Sequence, residues 1–439
     1  MSTTDPNPGR AKVPELRVLI RTGRLLDVRA ASVLDRAAIL VHGDRIAAVI
    51  PSGDPEPDHD RTLDLSALTV LPGLIDCHVH LIGGVASGGV TPPDDPPELD
   101  LLHGVANARA TLAAGFTTVR DVGTVRAFAD IRLRDGIEVG LVPGPRMLCA
   151  GVYVTAAGGG ADPEAAAGPR PGAMSGTARR GPAGAAGARD PLRRGIIGSV
   201  ADARRVVNDL AREGADLVKI IVTGGGVVAR PTDPDRLELS PELVAAVVEA
   251  ASRRGLPVAA AAHGSQGMLV AARAGVRTIE HGTYASEPAL EALAAAGTYL
   301  VTDLYSGPWI DARSRSFGWS DEVIERNVQV TRAKVATVGL ALRLGVRMAF
   351  GTDAGVFPHG ENAGQFAKMG EAGMSPWQAI QAGTIVAAEA LGAADDLGVL
   401  EPGHLADLVA TTDDPLSDLE ALTRPQCVVK GGQVVAGGA

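Results

Sequence analysis

Hydrophobic and polar positions follow two different textures along the chain. Over residues 16 to 72, short β-type runs are separated by turns: RVLIRTGRLLDV, then AAILVHGDRIAAVIP with Gly-Asp at its bend, then RTLDLSALTVLPG. The same texture returns after Gly398, in HLADLVATT and QCVVKGGQVVAGG. Each end alone has few strands with which to cover a core. The pattern therefore predicts one small β-sandwich assembled from both termini, residues 14–72 with 396–439. Two independent flanking β extensions are the alternative.

The middle of the chain repeats another unit, an Ala-rich amphipathic helix that ends in Gly and is followed by a short apolar strand. Eight such strands can be read: LIDCHVHL (74–81), FTTVRDV (116–122), RMLCAGV (146–152), DLVKIIV (216–222), PVAAAAH (257–263), RTIEHG (277–282), TYLVTDL (298–304) and RMAFGTD (347–353). This alternation predicts an α/β fold, a (β/α)8 TIM barrel over residues 73–395. An open doubly wound sheet is the alternative, but no GxGxxG or Walker pattern accompanies it. Residues 155–195 are low-complexity Gly/Ala/Pro/Arg sequence and are expected to form a flexible loop without regular structure. The loop leaves the C-terminal end of the third strand, the face on which barrel active sites lie, so it is either a substrate lid or an insertion without a role.

Charge and composition narrow the partners. Lys and Arg number 41 against 51 Asp and Glu, a formal charge of −10, which disfavours binding to nucleic acid or anionic lipid. No run approaches the ~18 apolar residues of a membrane span, and the N-terminus has no apolar signal core, so a cytoplasmic protein is expected. Cys77, Cys149 and Cys427 are scattered, with neither a disulfide framework nor a Cys-based zinc pattern. Only five residues are Lys, at 12, 219, 334, 368 and 430, against 36 Arg. In so Arg-rich a chain, a Lys on a buried strand calls for a specific chemical reason.

The chemistry lies at strand ends. His78 and His80 flank Val79 on the first strand, where the two-residue period puts both imidazoles on one face, ~6.5 Å apart along the chain and within reach of one divalent ion. An HxH pair alone is weak. Further ligand types follow at the C-terminal ends of other strands: Lys219, His263, His281 and Asp353. An unmodified Lys ammonium has no lone pair, whereas CO2 addition would make it a carboxylate-like donor. The plain alternatives are a snorkelling Lys219, a core His281 and an N-capping Asp353.

Taken together, LPGLIDCHVHL, GFTTVRDVG, GADLVKIIVTGGG, IEHGTY, FGTDAGVFPHG and the tail EPGHLADLVATTDDPL resemble the metal-dependent amidohydrolase superfamily, on its prolidase-like and imidazolonepropionase-like branch. The resemblance implies that His78 and His80 bind a first metal, that Lys219 bridges two metals as a carbamate, that His281 binds the second, and that Asp353 is both ligand and general base. Two departures stand out. The branch carries a fifth-strand histidine ligand where this chain has Ala261. His263 shares the inward strand face two residues on and is read as substitute ligand, substrate contact or supporting group. The third-strand loop, commonly GGHGD in these relatives, is Gly158-Gly159-Gly160-Ala161-Asp162 here, so a substrate-contacting histidine is absent.

The resemblance thus implies a hydrolase that cleaves an amide or peptide bond with metal-activated water. Zinc is the expected ion, with manganese, iron or cobalt fitting the same groups. One tightly bound ion is expected because Ala261 removes a donor from the second site. Tyr284, Tyr305, His359 and His263 are candidate substrate contacts on a small-molecule or peptide substrate, and homo-oligomerisation is left open. Alternative functions are the trimming of a modified peptide, similar to the amidohydrolases of bottromycin-type bacterial pathways, hydrolysis of a cyclic amide or imidazolone, and a degenerate, non-catalytic metal-binding protein.

Overall fold

A computed structural model of the chain describes residues 16–84, 96–162, 195–224, 233–316 and 319–438. Residues 163–194, most of the segment expected to lack regular structure, lie outside the described residues.

The N-terminal strands are β1 (Arg17–Asp27), β2 (Ser32–Asp35), β3 (Ala38–His42), β4 (Arg45–Ile50) and β5 (Arg61–Pro72). The core contributes β6 (Leu74–Val79), β7 (Phe116–Asp121), β8 (Arg146–Cys149), β9 (Tyr153–Ala156), β10 (Ile196–Ile197), β11 (Val218–Ile221), β12 (Val258–Gly264), β13 (Thr278–Tyr284), β14 (Tyr299–Thr302) and β15 (Met348–Phe350). The C-terminus adds β16 (Leu408–Thr411), β17 (Cys427–Lys430) and β18 (Gln433–Gly437).

Strands from both chain ends do share one structure, and among the described residues they join in a single eight-stranded sheet, ordered β18-β17-β16-β5-β1-β3-β4 with β2 on β1. The junction is the long β5, which pairs parallel with β1 and antiparallel with β16. One face of this sheet gathers Ile20, Ile39, Ile46, Val70, Leu408 and Val429 into one apolar cluster, so side chains from strands near its opposite edges meet in a common core. Burial of that face gives the terminal strands the core that neither end could form alone.

Each of the eight expected core strands is present. β6, β7 and β8 form one parallel sheet; β10, β9 and β11 to β15 form another, also parallel. The third strand differs from its sequence pattern. It breaks after Cys149, passes Gly151 in a left-handed conformation (φ +78°), and resumes as β9, which then pairs with β11. Hydrogen bonds span both gaps between the sheets: Asp216 N donates to Cys149 O at 2.8 Å, and Asp353 N donates to His78 O at 2.8 Å. Several helices between strands start on a serine cap. The hydroxyls of Ser199, Ser240 and Ser320 accept from the amides of Asp202, Leu243 and Val323. Strands β6, β7 and β14 are buried along their whole length, and β6 and β7 carry Asp76, His78, Arg120 and Asp121 among their apolar and small residues.

Candidate metal centre

The site is built where β6 meets the turn after β15. Asp76, fully buried, accepts from His78 N (3.1 Å), Thr352 N (3.1 Å), the Thr352 hydroxyl (2.6 Å) and Asn362 Nδ2 (2.9 Å). This one carboxylate fixes the turn 351–355 against the strand of His78. Glycine is required on both sides of the turn: a Cβ on Gly351 would lie 3.0 Å from His78 Cβ, and one on Gly355 would lie 2.8 Å from His80 O. The chain can therefore pass close enough for Asp353 to face both imidazoles.

His78 Nε2 and His80 Nε2 lie 3.5 and 3.3 Å from the same oxygen, Asp353 Oδ1. Donors held ~2.0–2.1 Å from one tetrahedral ion sit about 3.3–3.4 Å apart, so this spacing fits a divalent metal. The far nitrogens are committed. His78 Nδ1 is 2.8 Å from Glu280 Oε2, and His80 Nδ1 is 2.8 Å from Gly123 O, with the Tyr153 hydroxyl 3.0 Å from the same nitrogen. Carbonyl and carboxylate oxygens only accept, so each Nδ1 carries the proton and each Nε2 offers its lone pair. Burial, reinforced by the charge of Lys219, pushes the His78 imidazole down to about 3, which keeps it neutral as a ligand must be. Asp353 is held below the usual carboxylate range, because its bond to His80 and the charge of His78 outweigh its burial.

A second group shares Asp353. His281, Asp303 and Asp353 also lie close enough to offer ligand atoms to one ion. His281 and Asp353 both adopt left-handed backbone conformations, φ +71° and +60°, which are costly for side chains with a Cβ. At His281 this accompanies a register shift in which β13 gains one residue on β12 between Ala262 and Gly264. The shift brings the His263 ring flat against His281, with centroids 4.6 Å apart and planes within 9°. His263 Nδ1 meets the Thr283 hydroxyl at 2.8 Å, and His263 belongs to neither ligand group. Ala261 pairs with Glu280 in the β12–β13 ladder and is buried there with only a methyl group.

Lys219 is buried on β11, between Tyr153 of β9 and Ala259 of β12. Burial lowers its ammonium to about 8, against the pull of Glu280. Of the candidate substrate contacts, Tyr284 is exposed at the end of β13. The Tyr305 hydroxyl donates to Glu361 at 3.0 Å while its ring packs on Phe357. His359 is buried with both nitrogens engaged, one 3.2 Å from the Thr111 hydroxyl and the other donating to His80 O at 3.0 Å. At the position of the absent loop histidine, Gly160 N donates to Glu238 Oε2 at 2.9 Å.

Sequence reasoning missed the charged residues behind the imidazoles: Asp76, Arg120, Glu280, Asp303 and Lys334. Arg120 Nη2 lies 2.7 Å from Glu280 Oε1, and its Nε donates to Cys77 O at 2.6 Å. The only signals for them were charges within otherwise apolar strands, and for Lys334 its rarity.

The sequence profile of the Amidohydrolase family matches residues 69–435. Ochratoxinase of Aspergillus niger is 28% identical over 97% of this chain and 88% of its own length. Imidazolonepropionase of Pseudomonas syringae pv. tomato is 28% identical over 88% of this chain and 90% of its own. Among solved structures, a Xaa-Pro dipeptidase with bound methionine in the active site superposes with a TM-score of 0.83 at 33% identity, covering 95% of this chain and 99% of that one.

Proposed function

Since the chain belongs to the amidohydrolase family and its relatives hydrolyse C–N bonds, we propose that it is a metal-dependent hydrolase cleaving an amide or peptide bond in a small-molecule or peptide substrate. The observation that carries the reading is the convergence of His78 Nε2 and His80 Nε2 on Asp353 Oδ1 at 3.5 and 3.3 Å, with both Nδ1 atoms already committed. His78, His80 and Asp353 would hold one tightly bound ion. Zinc suits neutral imidazoles with a carboxylate, and manganese, iron or cobalt would accept the same donors. When bound there, a divalent ion lowers the pKa of water and polarises a carbonyl oxygen.

Asp353, held below the usual carboxylate range, is an anion at neutral pH and would take the proton of an attacking water and return it to the departing amine. Glu280 and Gly123 fix His78 and His80, and Asp353 raises the His80 imidazole above its ordinary value against burial, so His80 would give up its Nε2 proton when an ion binds. Lys219 is buried, and its lowered value leaves a fraction of neutral amine at neutral pH. That amine can add CO2 and lose a proton, which would convert the one basic group on β11 into an oxygen donor. The same reading takes the eight parallel strands as one closed barrel, with residues 73–395 as the catalytic domain and the terminal strands as a second domain.

Substrate class is tested with a panel of N-acyl amino acids, uncapped dipeptides, cyclic amides and heterocycle-containing peptides, scored by release of amine. Turnover of linear amides is expected. Turnover of cyclic amides alone would move the assignment to the imidazolone-type reaction, and a metal-loaded protein inert on the whole panel would favour a binding protein.

A further inference from the structure

Val154 of β9 packs into the apolar core, so its neighbours Tyr153 and Thr155 face the opposite side of the strand. That side belongs to the site, because the Tyr153 hydroxyl reaches His80 Nδ1 at 3.0 Å. Thr155 lies two residues, ~6.5 Å, further towards the C-terminal end of the strand, the end at which the candidate ligands are carried. Beside it stands the carboxylate of Glu238, which the reaction proposed above does not use.

Glu238 is held from two sides. Its backbone N donates to Val222 O at 2.8 Å and Leu237 pairs with Thr223, so the segment runs back along the continuation of β11, the strand of Lys219. The Thr223 hydroxyl in turn accepts from His263 N at 2.8 Å. From the other side, Gly160 N donates to Glu238 Oε2 at 2.9 Å. The turn is shaped around this group: a Cβ on Gly159 would lie 2.5 Å from Thr155 Oγ1 and 2.7 Å from Glu238 Oε2, and one on Gly160 would lie 3.3 Å from Oε1. Two consecutive glycines thus leave the carboxylate the room that side chains would fill. Asp162 shares the turn, but it is buried and accepts from Gly158 N at 2.8 Å.

Among the described residues no cation forms an ion pair with Glu238, and Arg236 acts on it only through space. Burial raises its carboxyl above the ordinary value, against the Gly160 amide, the charge of Arg236 and the Thr155 hydroxyl. Glu238 nevertheless remains part-exposed, so a ligand can reach it. A carboxylate partly withdrawn from water without a counter-charge is costly, and a cationic hydrogen-bond donor set against it would offset that cost.

We propose that Glu238 is a specificity-determining residue that binds a positively charged group of the substrate, an ammonium or guanidinium, while the scissile amide lies at the metal centre. The proposal rests on the hydrolase reading above. Two sources carry that chemistry, the free α-amine of an uncapped peptide and a basic side chain beside the scissile bond, and both offer N–H donors to the same carboxylate.

The test uses two matched pairs of peptides, an uncapped dipeptide against its N-formyl form, and an N-acetyl dipeptide containing lysine against one containing norleucine. KM and kcat are measured for wild type and Glu238→Gln, with Kd by calorimetry on metal-stripped protein. Wild type should favour the cationic member of at least one pair by about 10–100-fold in KM and Kd, and the pair that shows it identifies the source of the charge. Glu238→Gln keeps an acceptor for Gly160 N, so a merely structural role survives it. The variant should lose the preference by weakening the cationic members far more than the neutral ones. Glu238→Asp, which keeps the charge on a shorter arm, should retain part of the preference and serves if the Gln variant does not fold. Equal affinity within both pairs in wild type, a preference that persists in Glu238→Gln, or an equal loss on charged and neutral members would each overturn the proposal. The hydrolase reading fails separately, if wild type binds the peptides with this preference and hydrolyses none of them.

Discussion

Asp76 and Thr352 are joined by a 2.6 Å hydrogen bond from the threonine hydroxyl to Asp76 Oδ2, across a separation of 276 positions in the chain. The bond ties the strand of His78 and His80 to the turn of Asp353, and the backbone amides of His78 and Thr352 and the side chain of Asn362 converge on the same carboxylate. Asp76→Ala leaves these buried donors without an acceptor. The expected cost is about 2–4 kcal/mol in urea unfolding, with weaker metal retention. An unchanged midpoint and unchanged retention would show that the turn is held by its backbone bonds alone.

His78→Ala and Asp353→Asn should each lower turnover by roughly 10³-fold or more while far-UV circular dichroism and the unfolding midpoint stay near wild type. Both residues serve the site rather than the apolar core. Near wild-type rates in either variant would contradict the roles given to them.

Lys219→Arg keeps the charge and removes the amine that can form a carbamate. The account expects this variant to lose bound metal, and intact mass or electron density of wild-type protein to show an added carboxylate on Lys219. A wild-type metal content in the Arg variant would mean that Lys219 is a buried cation with no part in ligation.

Away from the site, Asp130 gives a pH prediction. It is buried, one oxygen accepts from Gly151 N at 2.8 Å, and the other has no hydrogen-bond partner among the described residues. Burial and the neighbouring charge of Asp121 raise its carboxyl from 3.8 to about 7. The folded state thus keeps a proton that the unfolded chain gives up near pH 4, and stability falls as pH rises from about 4 to about 7. Asp130→Asn mimics the protonated form and escapes that loss. It should match wild type near pH 4 and exceed it by roughly 2–4 kcal/mol at pH 8, measured by denaturant unfolding at both values. Equal stability at pH 8 would show that Asp130 ionises normally.

Much of this architecture was legible in the sequence because local pattern and tertiary role coincide. The period of two put His78 and His80 on one face, and their rings do converge, with centroids 5.4 Å apart. The apolar runs marked all eight core strands, and the β texture at both ends pointed to a β-sandwich built from both termini, where the described strands form a single connected ladder. What stayed hidden depends on which strands become neighbours. Glu280 supports His78 from 202 positions away, and Asp303 supports His281 across two strands. Asp303 had a visible signal, a carboxylate ending the apolar run TYLVTDL, the same kind that singled out Asp353. His263 could not be placed from spacing, because a one-residue shift in the neighbouring strand brings it onto His281. Nothing local showed that His359 has both nitrogens engaged inside the protein, or that the third strand breaks at Gly151.

The central claim is that the chain hydrolyses an amide with a metal held by His78, His80 and Asp353. The most direct measurement is release of amine from a linear N-acyl amino acid or dipeptide by as-purified protein, by chelator-stripped protein and by stripped protein resupplied with Zn2+, each with elemental analysis. The account predicts at least one tightly held equivalent as purified, loss of turnover on stripping and its return with Zn2+, and neither metal nor turnover in His78→Ala. Undiminished hydrolysis by fully stripped wild-type protein would contradict it.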